Sequence, residues 1–293
     1  MKIGLSLNGG GAKGIVQLGQ YMAFRDVGFD YDVLAGVSVG ALNGALIHQG
    51  DVEGLTELWT NIKSKDVYRW RFRDVFRAID DRASIYDSSP LSRLLEKYVD
   101  FNKIQNNPRE FWINATNLQD KDNADTAFEV KSFQWGDDLR TFLKASASPP
   151  VFFEPVRYRG VEYGDGGLVS NFNQHRLRSL GCDLIVHLYP SNDPVDSHID
   201  NVKEALDRTV SIPSYAFLDR ELDATQEINR LRSEAGKSEV LTVRIQPKVT
   251  LNIGLLDFDY TKTKYSRKEL IEIGYESAYS TLDVLYKQLS LNS

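Results

Sequence analysis

The segment Val33-Leu34-Ala35-Gly36-Val37-Ser38-Val39-Gly40 decides the fold of this 293-residue chain. Its first three residues are apolar and predict a short strand, and residues 41–49 after it read as a helix that Gly50 ends. A serine between two glycines, placed where a strand turns sharply into a helix, is typical of a nucleophile elbow. The pattern G-x-S-x-G therefore predicts a serine hydroxyl raised above the carboxyl end of a strand.

A second strand–turn–helix unit precedes this segment. Residues 2–7 alternate apolar and small side chains and predict a strand, which leads into the glycine-rich turn Gly9–Gly14. Apolar residues at helical spacing follow over 15–22, and Gly28 ends that helix. Two such units within the first fifty residues predict right-handed crossovers and a parallel sheet.

The rest of the chain alternates strand and helix signals without a linker, a repeat or a low-complexity stretch. Strands are predicted at 111–116, 127–130, 156–158, 161–163, 183–189 and 240–245, and helices at 52–59, 89–98, 139–147, about 200–235 and at the C-terminus. This order predicts a three-layer α/β/α fold with a mostly parallel central sheet. We expect one domain over residues 1–293, with a catalytic core at about 1–190 and the C-terminal helices and strand of 200–293 packed on it.

Composition and charge exclude several classes of protein. Lys and Arg total 35 against 41 Asp and Glu, a net charge of −6, which argues against a generally basic nucleic-acid-binding surface. Cys182 is the single cysteine, so an internal disulfide cannot form. No apolar run approaches the ~18–20 residues of a membrane span, and the apolar start of the chain breaks too early for a signal peptide. No His, Cys and acidic residues have metal-ligand spacing. We therefore expect a cytoplasmic protein without a metal, another cofactor or a nucleic-acid partner.

The elbow places the Ser38 hydroxyl at the N-terminus of the helix that follows. The field of a helix N-terminus favours an alkoxide and a developing oxyanion alike. Gly36 and Gly40 suit the elbow because side chains two residues on either side of the serine would collide where strand and helix pass closely. Ser38 is therefore the candidate nucleophile.

The loop Gly9-Gly10-Gly11-Ala12-Lys13-Gly14 presents backbone N–H groups between a strand and a helix N-terminus. Such a nest stabilises negative charge, either on a phosphate or on an oxyanion. The spacing also fits the dinucleotide fingerprint G-x-G-x-x-G, but that fingerprint wants an acidic residue after the next strand, whereas Asp30 and Asp32 precede it. The loop predicts an anion site and leaves the anion open.

A third loop, Tyr163-Gly164-Asp165-Gly166-Gly167, ends a predicted hairpin, and an Asp between glycines is by itself most often a plain turn. Together, however, the three loops resemble those of the patatin-like phospholipase family. Residues 145–156 are similar to the family's segment ahead of its catalytic aspartate, and residues 165–171 to the segment around it. The resemblance covers about residues 1–190.

The resemblance implies a lipid acyl hydrolase of phospholipase A or lysophospholipase type, acting through a Ser–Asp dyad and an acyl-enzyme. Ser38 would attack the ester carbonyl, Asp165 would take its proton and later activate water, and the amides of Gly10, Gly11 and Ala12 would form the oxyanion hole. The substrate would be a phospholipid or another acyl-ester lipid, reached through transient contact with a membrane surface. Asn8 stands where many members have Asp, and Phe172 where a proline is common; neither departure touches this chemistry.

Two side chains need a particular environment for these roles. A carboxylate of reference pKa ~3.9 is a poor base near neutrality, so Asp165 must be poorly solvated to act as one. Lys13 either adds positive charge near an ester phosphate or is a solvated helix residue, and the sequence leaves both open.

Three other functions stay open at this stage. A Ser–His–Asp hydrolase is formally possible because His175, His187 and His198 follow Asp165 in the chain, although His187 lies inside an apolar strand. A dinucleotide-binding oxidoreductase would use the loop Gly9–Gly14. A lipid-binding protein without turnover would keep the same fold.

The run Tyr68-Arg69-Trp70-Arg71-Phe72-Arg73 interleaves aromatic and basic residues. Such a run stacks bases and takes phosphates in some proteins, and rests on a lipid interface in others. A plain strand or helix that packs its rings and solvates its arginines is the simplest interpretation, because no other basic cluster lies nearby.

Overall fold

The computed structural model describes residues 1–70, 84–192, 199 and 202–291. Its strands are β1 (Ile3–Leu7), β2 (Val33–Val37), β3 (Arg69–Trp70), β4 (Tyr86–Asp87), β5 (Glu110–Asn117), β6 (Asp125–Glu129), β7 (Val156–Tyr158), β8 (Val161–Asp165), β9 (Leu184–Leu188) and β10 (Leu241–Ile245). Its helices are α1 (Gly14–Asp26), α2 (Val39–His48), α3 (Val52–Asn61), α4 (Ser64–Val67), α5 (Ser89–Tyr98), α6 (Phe101–Asn106), α7 (Gly136–Ser146), α8 (Gln174–Ser179), α9 (Val202–Glu234) and α10 (Arg267–Leu291). Short 3₁₀ turns cover Gly11–Lys13, Val130–Ser132 and Gly166–Leu168. None of the helices in the described ranges combines the length and the apolar composition that crossing a bilayer requires.

Eight of the strands form one sheet in the order β10-β9-β1-β2-β5-β8-β7, with β6 paired to β5. β10, β9, β1, β2 and β5 run parallel. β6, β7 and β8 add antiparallel pairs at the β5 side. The two strand–turn–helix units at the start of the chain thus produce the mostly parallel sheet that their sequence predicts.

Helices cover both faces of this sheet. Consecutive residues of a strand point to opposite faces, and Leu34 and Ala35 of β2 show where each face packs. Leu34 belongs to the core that holds Ile15 of α1 and Leu282 of α10, whereas Ala35 belongs to a second core with Leu177 of α8. The predicted three-layer α/β/α architecture is confirmed.

The C-terminal part of the chain shares the sheet with the N-terminal part. β10 pairs with β9 in register from Leu241 to Ile245, and α10 contributes to the same core as α1. The expectation of one domain stays a prediction, and this shared sheet supports it.

The aromatic and basic run divides between core and surface. Tyr68 is buried and its hydroxyl donates to the carbonyl oxygen of Leu256 at 2.9 Å. Arg69 and Trp70 form β3, and Trp70 is 56% exposed. Residues 71–73 of the run lie outside the described residues. At Tyr68, at least, the ring packs as the simplest interpretation expects.

Candidate active site

Ser38 stands at the turn between β2 and α2. Its φ of 54° and ψ of −128° lie in a region that a residue with a Cβ adopts only at a cost. A Cβ atom added to Gly36 would lie 2.6 Å from the Cα of Ala41. One added to Gly40 would run into the carbonyl oxygen of Leu7. The predicted elbow is therefore present, and both of its glycines are needed because strand and helix pass this closely.

The Ser38 hydroxyl donates a hydrogen bond to Asp165, with Oγ 2.7 Å from Oδ2. The other carboxylate oxygen, Oδ1, accepts from the backbone N–H of Gly167 at 2.8 Å. Asp165 is only 5% exposed, as its expected role requires. This burial raises the pKa of Asp165 to about 7, although both hydrogen bonds favour the ionised form. The carboxylate therefore has the proton affinity that a general base needs near neutral pH.

The register of β5 explains how two residues 127 positions apart meet. β2 pairs with the first part of β5 and ends with Val37 opposite Asn114. β8 runs antiparallel farther along the same edge and ends with Asp165 opposite Ala115, while β6 takes the other edge. Asn114 and Ala115 are consecutive, so the ends of β2 and β8 abut and the elbow serine faces the aspartate.

The glycine loop lies against the serine, since a Cβ added to Gly9 would be 3.1 Å from the Cβ of Ser38. Two amides of this loop are already used. The N–H of Gly9 donates to Oδ1 of Asn171 at 2.7 Å, and the N–H of Ala12 donates to the carbonyl oxygen of Leu255 at 2.8 Å. The expectation that Ala12 offers its amide to an oxyanion is corrected here, because that amide is held by the C-terminal part of the chain.

Gly10 and Gly11 are the loop residues whose amides stay available. Both line the cavity described next, and their N–H groups have no acceptor among the described residues. Lys13 lines the same cavity. Gly14 does not, because it is buried beneath α2 and α3, where an added Cβ would collide with Val39 and Trp59.

A cavity of about 490 Å³ borders Ser38 and Asp165. Three helices, α2, α3 and α5, give it an apolar wall; its lining residues from these helices include Val39, Leu42, Leu46, Leu58, Trp59, Leu91, Leu94, Leu95 and Tyr98. Charged side chains line another part of it, namely Lys13, Glu204, Asp207, Arg208 and Lys262, of which Lys262 and Glu204 form an ion pair of 2.7 Å. The serine thus stands beside both a long apolar surface and a charged one.

Sequence reasoning assigned no role to two residues that shape the site. The Oγ of Ser146 accepts the backbone N–H of Ser38 at 2.9 Å and helps to hold the elbow. Asn171 anchors the glycine loop twice, through Oδ1 to Gly9 and through its carbonyl oxygen to the Nδ2 of Asn8 at 2.6 Å. Both residues fall within the segments that resemble the family, which pointed to their neighbourhood but not to these bonds.

No histidine among the described residues bonds to Asp165, whose two oxygens bind Ser38 and Gly167. His187 is buried, its Nε2 lies 2.7 Å from Oε1 of Gln174, and burial lowers its pKa to about 3. His175 is exposed, and His198 lies outside the described residues. A Ser–His–Asp triad is therefore not favoured.

Two curated relatives are similar to more than half of this chain. A protein of Neurospora crassa named Lysophospholipase nte1 is 28% identical over 219 residues, which is 74% of this chain and 13% of that protein. Lysophospholipase NTE1 of Coccidioides immitis is 29% identical over 187 residues, 62% of this chain and 11% of that protein. The chain thus spans only a small part of the length of these relatives.

Among solved structures, VipD from Legionella pneumophila aligns with a TM-score of 0.48 and 14% identity, over 97% of this chain and 67% of that one. A family model described as patatin-like phospholipase matches residues 5–178, which is more than half of the chain and contains the elbow, the glycine loop and Asp165. The chain is a member of the patatin-like phospholipase family.

Proposed function

We propose that this protein hydrolyses the acyl ester of a lysophospholipid, a phospholipid with one acyl chain, and releases a fatty acid. The observation that carries the proposal is the 2.7 Å bond between Ser38 and a buried Asp165 beside an apolar cavity. The family match supports lipid ester chemistry, and the names of the relatives support a substrate with one acyl chain.

In the first half of the reaction, Asp165 takes the proton of the Ser38 hydroxyl while Oγ attacks the ester carbonyl carbon. The tetrahedral intermediate places negative charge on the former carbonyl oxygen, which the N–H groups of Gly10 and Gly11 stabilise. The intermediate then collapses to an acyl-serine, and the leaving glycerol oxygen takes the proton from Asp165. One ester bond breaks, one forms, and the proton ends on the released alcohol.

In the second half, Asp165 takes a proton from water, and the hydroxide oxygen attacks the acyl-serine carbonyl. Collapse of this second intermediate releases the fatty acid, and Oγ of Ser38 regains the proton from Asp165. The same carboxyl group is base and then acid in each half. A pKa of about 7 suits this double role, because both protonation states are accessible near neutrality.

We also propose that the enzyme meets its substrate at a membrane or micelle surface from the cytoplasm. The exposed indole of Trp70 supports this, because aromatic rings with a polar edge suit the boundary between lipid and water.

The proposal is tested with a fluorophosphonate ester and with lysophosphatidylcholine. We expect a covalent adduct on Ser38, located by mass spectrometry, and release of fatty acid by the same preparation. Fatty-acid release without an adduct on Ser38, or an adduct on another serine, contradicts the proposed dyad. Saturable lipid binding with neither adduct nor release supports the alternative of a lipid-binding protein without turnover.

The apolar cavity runs along α2 away from the serine. Val39, Leu42 and Leu46 follow one another at spacings of three and four residues, on the face of α2 that begins beside Ser38. From Ser38 to Leu46 the helix rises about 12 Å, the length of a run of about ten methylene groups. At the far end, Gln49 joins α2 to the end of α5 by donating to the carbonyl oxygen of Tyr98 at 2.8 Å and accepting from the N–H of Asp100 at 2.9 Å. The acyl chain is proposed to lie here, with Leu46 near its terminal methyl group.

Leu46→Trp is expected to shift the enzyme toward shorter acyl chains. The larger side chain fills the far end of the cavity, where Leu46 is 3% exposed, so a 16-carbon chain loses contact area that an 8-carbon chain never used. We expect the ratio of kcat/KM for the 16-carbon to the 8-carbon lysophospholipid to fall about 10-fold or more. Because both substrates are measured on one preparation, this ratio does not depend on the folded fraction. The control is Leu118→Trp, at a partly exposed leucine outside the cavity lining, and an equal ratio in the two variants would contradict the placement of the chain.

A further inference from the structure

A stretch near the C-terminus, Leu251–Tyr260, holds the glycine loop from outside the region that the family model matches. The carbonyl oxygen of Leu255 accepts the N–H of Ala12 at 2.8 Å. The hydroxyl of Tyr260 donates to the carbonyl oxygen of Ala12 at 2.9 Å. Both polar backbone groups of Ala12, a fully buried residue, are therefore fixed by the same stretch of chain.

The contact is close enough to exclude any side chain at Gly11. Gly11 has a φ of +56°, and an added Cβ would collide with the carbonyl oxygen of Leu255. The backbone of Gly11, whose N–H is free for a ligand among the described contacts, is thus pressed against the backbone of Leu255. A shift of the stretch Leu251–Tyr260 would move the Gly11 amide with it.

Tyr260 adopts a conformation that a tyrosine seldom takes. Its φ is 58°, in the left-handed region that is unfavourable for bulky side chains. The surrounding structure enforces it: Asp257 accepts the N–H of Thr261 at 2.9 Å, and the guanidinium of Arg267 lies 4.5 Å from the centre of the Tyr260 ring. Such strain persists where neighbouring contacts hold it, and it is concentrated at functional sites.

Arg267 in turn ties this ring to the end of α3, one of the three helices that form the apolar wall. Its guanidinium donates to the carbonyl oxygens of Trp59, Ile62 and Phe258 at 2.9, 2.6 and 2.9 Å. Burial raises the pKa of the Tyr260 phenol, so its hydroxyl keeps its proton and remains a hydrogen-bond donor at neutral pH.

We infer that Tyr260 is a positioning residue for the oxyanion hole, which fixes the Ala12 carbonyl so that the Gly10 and Gly11 amides stay aimed at the substrate. This inference rests on the proposed function. Its physical basis is that donors aimed in advance at a developing charge need no reorganisation during the reaction. Without the hydroxyl, the buried Ala12 carbonyl loses its partner, and the short loop gains alternative orientations.

The test is Tyr260→Phe in the full chain, which removes one oxygen atom and keeps the ring beneath Arg267. We expect kcat to fall about 10- to 100-fold while KM for lysophosphatidylcholine stays within about 2-fold, because removal of a whole oxyanion donor costs about 10²- to 10³-fold. The rate is expressed per serine labelled by fluorophosphonate at completion, so that only folded molecules are counted. The matched control is Tyr265→Phe, which removes a phenol hydroxyl outside the bonds to Ala12 and is expected to leave kcat unchanged.

A second readout separates positioning from general loosening of the fold. A long-chain trifluoromethyl ketone forms a tetrahedral adduct with an oxyanion, whereas an ether analogue of the lysophospholipid binds without forming one. We expect Tyr260→Phe to weaken binding of the ketone by the same factor by which it lowers kcat/KM, and to leave binding of the ether analogue unchanged. Equal weakening of both analogues, or a kcat equal to that of Tyr265→Phe, overturns the inference while the proposed function stands. A wild-type protein that neither labels nor releases fatty acid overturns the proposed function itself.

Discussion

Ser38→Ala and Ser38→Gly are both expected to abolish turnover, and Ser38→Gly is expected to be the more stable of the two. The loss of turnover follows from removal of the nucleophile, which costs about 10⁴-fold or more in kcat in serine hydrolases. The order of stability follows from the backbone. At a φ of 54°, alanine keeps the strain of a Cβ in an unfavourable region, and glycine releases it.

The expected difference in the free energy of unfolding between the two variants is about 1 kcal/mol in favour of glycine, after its larger backbone entropy in the unfolded chain is subtracted. Denaturant unfolding of both proteins measures it. The matched pair is Ser280→Ala and Ser280→Gly, at an exposed position of α10. There the alanine variant is expected to be about 1 kcal/mol more stable than the glycine variant, because glycine is the poorer helix former. If the glycine variant were less stable than the alanine variant at both sites, strain at the elbow would be contradicted. Fatty-acid release by Ser38→Ala within 10-fold of the wild-type rate would contradict Ser38 as the nucleophile.

The parts of the site that sequence analysis predicts are those encoded over short distances. The elbow around Ser38 needs only a strand pattern, a helix pattern and two glycines within eight residues, and all of these are legible in one window. The hairpin that ends in Asp165 is legible for the same reason, since its turn Arg159-Gly160 has positive φ at both residues, as a two-residue hairpin requires.

The meeting of Ser38 with Asp165 is not encoded in this way. It depends on where two strands end along β5, and a register over non-local strands leaves no local pattern. The resemblance to the patatin-like family supplied that pairing before the structure explained it. Without the resemblance, Asp165 reads as an ordinary turn residue.

The contacts that hold the glycine loop cannot be predicted from the sequence, for a related reason. Tyr260 reaches Ala12 across 248 positions, and Leu255 does so through a carbonyl group that every residue possesses. Nothing in the residue types near 255–260 marks such contacts. The same contacts explain the correction at Ala12: a glycine-rich nest predicts available amides, but tertiary bonding decides which of them stay available.

Asp165→Asn is expected to lower kcat about 10³- to 10⁴-fold and to make the folded protein more stable above neutral pH. The loss of kcat arises because an amide cannot take the proton of Ser38. In the wild type, kcat/KM is expected to rise with pH as Asp165 ionises, with a midpoint near its pKa of about 7, whereas the small residual rate of the variant loses this dependence.

The gain in stability has an electrostatic cause. In the unfolded chain Asp165 ionises near the ordinary aspartate pKa of 3.8, while burial keeps the folded carboxyl protonated up to about pH 7. Between these values the folded state binds one more proton than the unfolded state, so wild-type stability falls as pH rises from about 4 to about 7 and stays reduced above that. Asparagine is neutral at every pH in this range, so the variant does not lose this stability as pH rises. We therefore expect the free energy of unfolding of Asp165→Asn to exceed that of the wild type by a few kcal/mol at pH 8. The difference between a pKa of 3.8 and one of about 7 sets an upper bound of about 4 kcal/mol, and at pH 4 the gain should be much smaller.

Denaturant unfolding of both proteins at pH 4, 6 and 8 measures this difference. The control is Asp122→Asn at an exposed site, whose free energy of unfolding should equal that of the wild type at each pH. A gain that is independent of pH would point to better packing of the amide rather than to relief of a buried charge. A variant less stable than the wild type at pH 8 would mean that the bonds from Ser38 and Gly167 outweigh desolvation, and Asp165 would then be too weak a base for the proposed reaction. The experiment thus tests the catalytic role through stability alone, because the same burial that makes Asp165 basic also makes its ionised form costly to fold.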